Sequence, residues 1–369
     1  MNASHTGPSF RSNNFDLIRL FAASQVAILH SLHIMGVEAS GLWDRLLFLL
    51  HIFPGVPIFF FVSGYLITRS YESNSKIPEY ASNRILRVYP GLITAVCLSF
   101  VLIFLSGYMA QTGASFADWI RLFLAKSSIV QFYNPDFMRG YGDGVLNGSL
   151  WTITVELQFY VIVPMVYFLL KLDKSGNTKL LMLILAFFII NRIYSYLHGS
   201  YSEHLLYKLA SVSFAPWFYM FLVGMLFQRN FEFFHKLLAG KFLYLLALYI
   251  FIGYFAAQHN ANFGNNIDPL FYLLLVPLVF SAAYSNANLA MRTTKGNDFS
   301  YGIYIYHMPI VNFLIYLGFS GSIFWSLIAL VVTVIVAVLS WFYIEKPCLK
   351  LKHHPFNPMT KSQQVHKVV

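Results

Sequence analysis

Residues 15–35 read FDLIRLFAASQVAILHSLHIM, an apolar run interrupted near its start by Asp16 and Arg19 and further along by His30 and His33. A helix crossing a bilayer needs about 20 apolar residues, which this run supplies. It is too long and too polar for a signal-peptide core, and no small-residue cleavage site follows it. Arg19 and His30 stand eleven positions apart. At about 100° and 1.5 Å per residue they share one helix face, roughly 16 Å from each other.

Similar runs recur along the chain. Hydrophobic residues make up 57% and charged residues 11% of the 369 positions, too little polar surface for a soluble domain. The reading is an all-α, polytopic integral membrane protein with about ten transmembrane helices. They fall near 15–35, 46–68, 89–107, 150–170, 180–197, 209–227, 242–257, 269–285, 299–317 and 322–344. The runs are too uniformly apolar for barrel strands, and hydrocarbon cannot satisfy open backbone groups, so helices follow. Residues 1–349 form the transmembrane domain and 350–369 a short basic tail.

A net charge of +10 invites a nucleic-acid partner, but its distribution argues otherwise. Assigning loops to alternate sides puts 18 Lys and Arg on the side of both termini and 6 on the other, with Arg19 inside the first span. Cytoplasmic loops show that bias. Both termini are therefore expected in the cytoplasm, and no nucleic acid is expected. Cys97 and Cys348, in and just after apolar runs, form no disulfide framework.

With the amino terminus inside, Arg19 lies at the cytoplasmic edge and His30 in the outer half of the membrane. Ionisable residues inside a membrane are costly and mark function. His33 adds an imidazole, but without Asp, Glu or Cys at ligand spacing no metal is expected. The fourth span, LWTITVELQFYVIVP, runs inward and carries Glu156 at a depth comparable with His30. A buried carboxylate needs a partner. Glu156 either fixes helix packing, orients or charges His30, or holds an acceptor.

At the cytoplasmic ends Arg69, Arg84 and Arg87 join Arg19 as candidate grips for a polyphosphate, which the guanidinium fork matches. Topology signalling and lipid-headgroup contact are the plainer alternatives. On the outer side, the connection at 108–149 includes QFYNPDFMRGYGDGVLNGSLW, an ordered loop by its Gly, Asn, Asp and aromatic content. Its rings either anchor at the membrane interface or form a sugar platform. Tyr133, Asp136, Tyr141 and Trp151, with Glu156, are the candidate acceptor-binding residues. The Asn147-Gly148-Ser149 sequon lies too close to the membrane to carry weight. Ser63 and Gly64 in FFFVSGYL permit close helix approach, and SYGIYIYHMP supplies Ser300, Tyr301 and His307.

Taken in order, Arg19-x10-His30, FFFVSGYL (59–66), RILRVYP (84–90), LWTITVELQFY (150–160), SYGIYIYH (300–307) and EKP (345–347) resemble the membrane-bound acyltransferase 3 family over nearly the whole chain. Members acylate sugars and other hydroxyl-bearing acceptors across a membrane. Some append an extracytoplasmic hydrolase-like domain, and this chain resembles the stand-alone form. The resemblance implies that His30 is catalytic, that Arg19 is its motif partner, and that Arg84 and Arg87 bind an acyl-CoA donor, acetyl-CoA foremost. Arg69, Ser63, Ser300 and Tyr301 are further candidates on the donor side.

His30 would take the proton of an attacking hydroxyl or be acylated itself. A tyrosine, Ser63 or Ser300 would meet the oxyanion. The expected activity is O-acylation, O-acetylation first, of a cell-surface glycan or lipid-linked saccharide at a bacterial inner membrane. A transporter or flippase would show internal repeats, and none is found. A membrane glycan polymerase calls for a large basic outer loop, whereas 108–149 sets Arg121, Lys126 and Arg139 against three aspartates. Assembly as a homo-oligomer stays open.

Overall fold

The computed structural model describes residues 13–38, 40–172, 176–259 and 261–351. Among these, all regular structure is helical: α1 (Phe15–Ile34), α2 (Leu42–His51), α3 (Gly55–Ser73), α4 (Ile77–Leu105), α5 (Phe116–Lys126), α6 (Trp151–Leu170), α7 (Thr178–Tyr201), α8 (Phe218–Arg229), α9 (Phe231–Leu238), α10 (Phe242–Ala257), α11 (Pro269–Ser285), α12 (Ser300–Tyr316) and α13 (Ile323–Ser340), with shorter turns between. Among the described residues, six stretches are long and apolar enough to cross a membrane: α1, α2 with α3, α4, α6 with the turn before it, α7, and α13 continued to Lys350. The pair α9 and α10, bent by 79°, makes a seventh if taken as one span. The chain is a multi-pass helical membrane protein. Segments expected at 209–227, 269–285 and 299–317 hold α8, α11 and α12, of 12, 17 and 17 residues. Of the tail at 350–369 only Lys350 and Leu351 are described, and Arg11, Lys174, Lys352, Lys361 and Lys367 also lie outside the described residues.

Two of the expected spans are broken, and each break is sealed by a glutamine from another helix. The span at 46–68 opens at Ile52–Pro54, where Gly55 N donates to Gln25 Oε1 at 3.0 Å and Tyr249 donates to the Ile52 carbonyl at 2.5 Å. The span at 209–227 opens between Ser211 and Phe218. There Gln158 Nε2 donates to the Val212 carbonyl and its Oε1 accepts from Phe214 N, both at 2.9 Å. Without such partners an unwound backbone could not stay in hydrocarbon.

The tightest crossing joins α3 to α8. A Cβ on Gly64 would lie 2.0 Å from the Phe221 carbonyl oxygen, and one on Gly224 2.1 Å from that of Phe61. Only glycine fits, as close helix approach requires. Around this pair α1 packs on α12 and α3, and α12 packs on α4 and α13.

Prolines inside helices leave a carbonyl one turn back without its donor. Pro164 frees the Tyr160 carbonyl, which accepts from Tyr80 at 3.1 Å. Pro309 frees that of Ile305, which accepts from Asn147 Nδ2 at 2.8 Å, while Ser149 Oγ donates to Asn147 Oδ1 at 2.7 Å. Asn312 adds two links, donating to Val145 O at 2.8 Å and accepting from Asp143 N at 3.0 Å. Gly142, at φ +55°, lies so close that a Cβ would come within 2.6 Å of Asn312. The connection at 108–149 is thus an ordered structure hooked onto α12. After a short helical turn at Tyr108–Gln111 it holds α5, whose Ser115–Asp118 capping box closes the helix start.

Candidate active site

Asp298, just ahead of α12, collects two of the arginines. Arg19 Nη1 lies 2.7 Å from its Oδ2, and Arg87 donates to the same oxygen. Its other oxygen accepts from Ser300 N at 3.1 Å and from the Ser300 hydroxyl, so it also caps α12. Burial alone would raise the Asp298 pKa, but the two guanidiniums hold the carboxyl well below its usual range. Sequence reading did not single out Asp298. The available signal was an acidic residue two positions before the SYGIYIYH helix, where caps belong.

Arg84 is placed differently. Its Nη2 donates to Ser70 Oγ at 3.1 Å, and its guanidinium lies 5.9 Å and 5.7 Å from the ring centres of Tyr80 and Tyr160. Its Nε is buried without a hydrogen-bond partner, and among the described residues no carboxylate pairs with it. Arg69, three residues before Glu72 on α3, lies within electrostatic reach of the hydroxyl-paired Tyr65 and Tyr284.

Arg19, Ser63, Glu156 and Tyr301 meet, with Thr152 and Tyr304, around a cavity of ≈ 30 Å³, about the room of one water. Glu156 Oε1 accepts from Ser63 Oγ at 2.9 Å and from the Tyr160 hydroxyl at 2.7 Å. Tyr301 donates to Val88 O at 2.9 Å. The hydroxyl hydrogens of Ser63 and Ser300 are both committed to carboxylates. Among the described residues no hydrogen bond joins Glu156 to His30.

His30 instead meets His307. His30 Nδ1 lies 3.2 Å from His307 Nε2, and His307 Nδ1 lies 3.3 Å from the Ile303 carbonyl oxygen. A carbonyl only accepts, so a neutral His307 carries its hydrogen on Nδ1. Its Nε2 lone pair then takes the hydrogen on His30 Nδ1, leaving the Nε2 lone pair of His30 without a partner among the described residues. His307 is fully buried, and its ring centre lies 6.0 Å from that of Tyr304, a residue of the Glu156 cavity. The sequence alone assigns His307 no role. Its signal was an imidazole among aromatic rings two positions before a helix-interior proline.

The acceptor candidates are dispersed. Tyr133 and Asp136 are exposed, with Asp136 3.9 Å from Arg139. Tyr141 is buried between Tyr108 and Tyr316, ring centres 5.3 Å from each, and Trp151 packs on Trp217 at 5.3 Å. Of the five, Glu156 alone lines the cavity. Asp143, not singled out from sequence, has its pKa raised by burial, an effect His33 opposes. Among the described residues no three His, Cys, Asp or Glu side chains gather as a metal site would.

The family described as acyltransferase domain matches residues 12–343. Nodulation protein 10 of Rhizobium leguminosarum bv. viciae is 34% identical over 369 residues, covering 95% of this chain and 97% of that protein. An O-acetyl transferase of Shigella phage Sf6 is 26% identical, covering 91% of this chain and 96% of its own. O-acetyltransferase OatA of Staphylococcus aureus strain MRSA252 is 26% identical over 86% of this chain and 56% of its own length. No solved structure matches the chain. The family match takes in the arginine cluster, the Glu156 cavity and the histidine pair together, and the chain belongs to the acyltransferase 3 family of acyl-transferring membrane enzymes.

Proposed function

We propose that the enzyme moves an acetyl group from cytoplasmic acetyl-CoA to a hydroxyl of a glycan or lipid-linked saccharide beyond a bacterial inner membrane, with both termini in the cytoplasm. The observation that carries this reading is the 3.2 Å contact of His30 with His307, which leaves His30 with one uncommitted basic nitrogen. Relatives named as O-acetyltransferases support the acyl group and the oxygen acceptor. The charge bias of the loops supports the orientation.

The donor supplies a thioester-activated acyl group. Arg84, with no carboxylate partner among the described residues, fits its phosphates, while Arg19 and Arg87 are matched by Asp298. His30 Nε2 accepts the proton of the attacking hydroxyl as the ester C–O bond forms, and returns it to the departing thiolate as the C–S bond breaks. General-base help of this kind is worth about 10²–10⁴ in rate. His307 holds the His30 ring in the tautomer that makes Nε2 the base. Glu156 and Ser63 form the polar wall at the donor end. Since their cavity holds ≈ 30 Å³, Ser63, Glu156 and Tyr160 must shift to admit a pantetheine arm.

Membranes with wild-type enzyme or His30→Ala at matched levels test this through transfer of labelled acetyl from acetyl-CoA into glycan. Label should move with the wild type alone. Equal transfer by both would remove His30 from the chemistry, and an enzyme that neither binds nor consumes an acyl-CoA would overturn the whole reading.

A further inference from the structure

We infer that the nucleotide end of the donor docks in a second, far wider cavity, joined to the Glu156 cavity by a wall of tyrosines; this rests on the acyl-CoA reading above. The cavity measures ≈ 1280 Å³ and lies where α3, α6 and α8 end and α9 begins. Small-molecule sites occupy roughly 300–1,000 Å³, so a nucleotide fits here and cannot fit the ≈ 30 Å³ beside Glu156.

The lining has the chemistry a nucleotide needs. Tyr71 offers a ring face for a base, backed by the buried Tyr167, Gln228 offers an amide oxygen and Lys171 a positive charge, while Arg229 is engaged by Glu72 and the Leu172 carbonyl. Two carboxylates, Glu72 and Glu232, also line the cavity, and Glu72 is held by its neighbours. Glu72 accepts from the Tyr167 hydroxyl at 2.7 Å, from Gln228 Nε2 at 2.8 Å and from Arg229 Nη1 at 3.2 Å. Its repulsion of a phosphate is therefore weakened. Gln228 is 8% exposed, and its Oε1 has no hydrogen-bond partner. A carbonyl oxygen in that state is an acceptor for an exocyclic amine.

A continuous row of side chains connects the two cavities. The Tyr71 ring stands 5.0 Å from that of Tyr167 and 5.4 Å from that of Tyr80. Arg84 lies against Tyr80 and Tyr160, and the Tyr160 hydroxyl reaches Glu156 at 2.7 Å. Arg84 is thus at the junction, where a donor with its base in the wide cavity and its pantetheine arm running past Glu156 towards His30 places its phosphates.

The test uses two rim variants, Ser75→Trp to fill the cavity and Lys171→Glu to reverse its charge, both at exposed positions. Calorimetry of the purified full chain reads binding of adenosine 3′,5′-bisphosphate, and transfer assays compare acetyl-CoA with acetyl-pantetheine, which lacks the nucleotide. Both variants should weaken bisphosphate binding and raise KM for acetyl-CoA by about tenfold or more, leaving acetyl-pantetheine KM unchanged. Wild-type binding of the bisphosphate by either variant would overturn the cavity assignment, as would equal loss of both donors in both variants. Wild-type enzyme that uses acetyl-CoA yet binds no bisphosphate would also overturn it, with the acyl-CoA reading intact. No acyl-CoA binding or turnover at all would bring down that underlying reading instead.

Discussion

His30 on α1 and His307 on α12, 277 positions apart in sequence, meet with Nδ1 and Nε2 3.2 Å apart. The Ile303 carbonyl at the far side of His307 makes the contact directional. In the proposed mechanism one imidazole acts as acceptor and orienter, the other as base. The same division of labour holds wherever a base is kept in the right tautomer by a neighbour that never touches substrate.

Replacing His307 by Leu removes the acceptor for His30 Nδ1 and frees the ring to take either tautomer. kcat should fall about 10²-fold, a share of what general-base catalysis supplies, with KM for acetyl-CoA unchanged. His307→Gln keeps a carbonyl-type acceptor and should recover most of the loss. The pH profile of kcat, measured for both variants, separates orientation from packing: a shape equally altered in Gln and Leu would make His307 a packing residue.

The arginines divide by partner. Asp298→Asn would leave Arg19 and Arg87 without their shared countercharge in a largely buried site. Removing one partner of a buried ion pair costs about 3–5 kcal/mol. Asp298→Asn should lower the melting temperature in detergent. Arg84→Gln should leave it unchanged and weaken acyl-CoA binding. Arg87→Ala groups with Asp298→Asn on this account; full stability with weakened donor binding would return Arg87 to the donor site.

The helical class, the shared face of Arg19 and His30 and the close approach at Gly64 were legible because each depends on local composition or spacing. The breaks at 52–54 and 212–217 were not. A hydropathy window averages across them, and the groups that make them tolerable, Gln25 and Gln158, lie on other helices. Asp298 and His307 were missed for a related reason. Their partners lie 279 and 277 positions away, and only the packing of α1 on α12 brings them together. Nor does composition tell a loop tyrosine at the surface from one, like Tyr141, enclosed by other rings.

Lys126, at the end of α5, is buried with its ammonium donating to Gln131 O at 2.6 Å. Burial lowers its pKa to about 8, against about 10.4 in an unfolded chain. Between those values the unfolded state binds more protons, so the stability contribution of this residue rises with pH across that window. Lys126→Met lacks the effect. The melting temperature of the wild type minus that of the variant should stay level up to about pH 8 and then increase toward pH 10. A difference that stays constant throughout would place the ammonium in water.

Asn147 and Pro309 should be energetically coupled. Asn147→Ala leaves the Ile305 carbonyl, freed by Pro309, without a donor. An unsatisfied buried acceptor costs about 1–3 kcal/mol. Pro309→Ala supplies an N–H one turn above Ile305 and lets the helix close its own bond. In the double variant the loss from Asn147→Ala should shrink, giving a coupling of about 1 kcal/mol or more in a double-mutant cycle. Strict additivity would mean that Asn147 serves only its own turn through Ser149. Because His307 lies two positions before the proline, straightening this turn also moves the ring that orients His30. Pro309→Ala should therefore reduce acetyl transfer by more than its change in melting temperature explains, and an unchanged rate would show that the histidine pair does not depend on the opened turn.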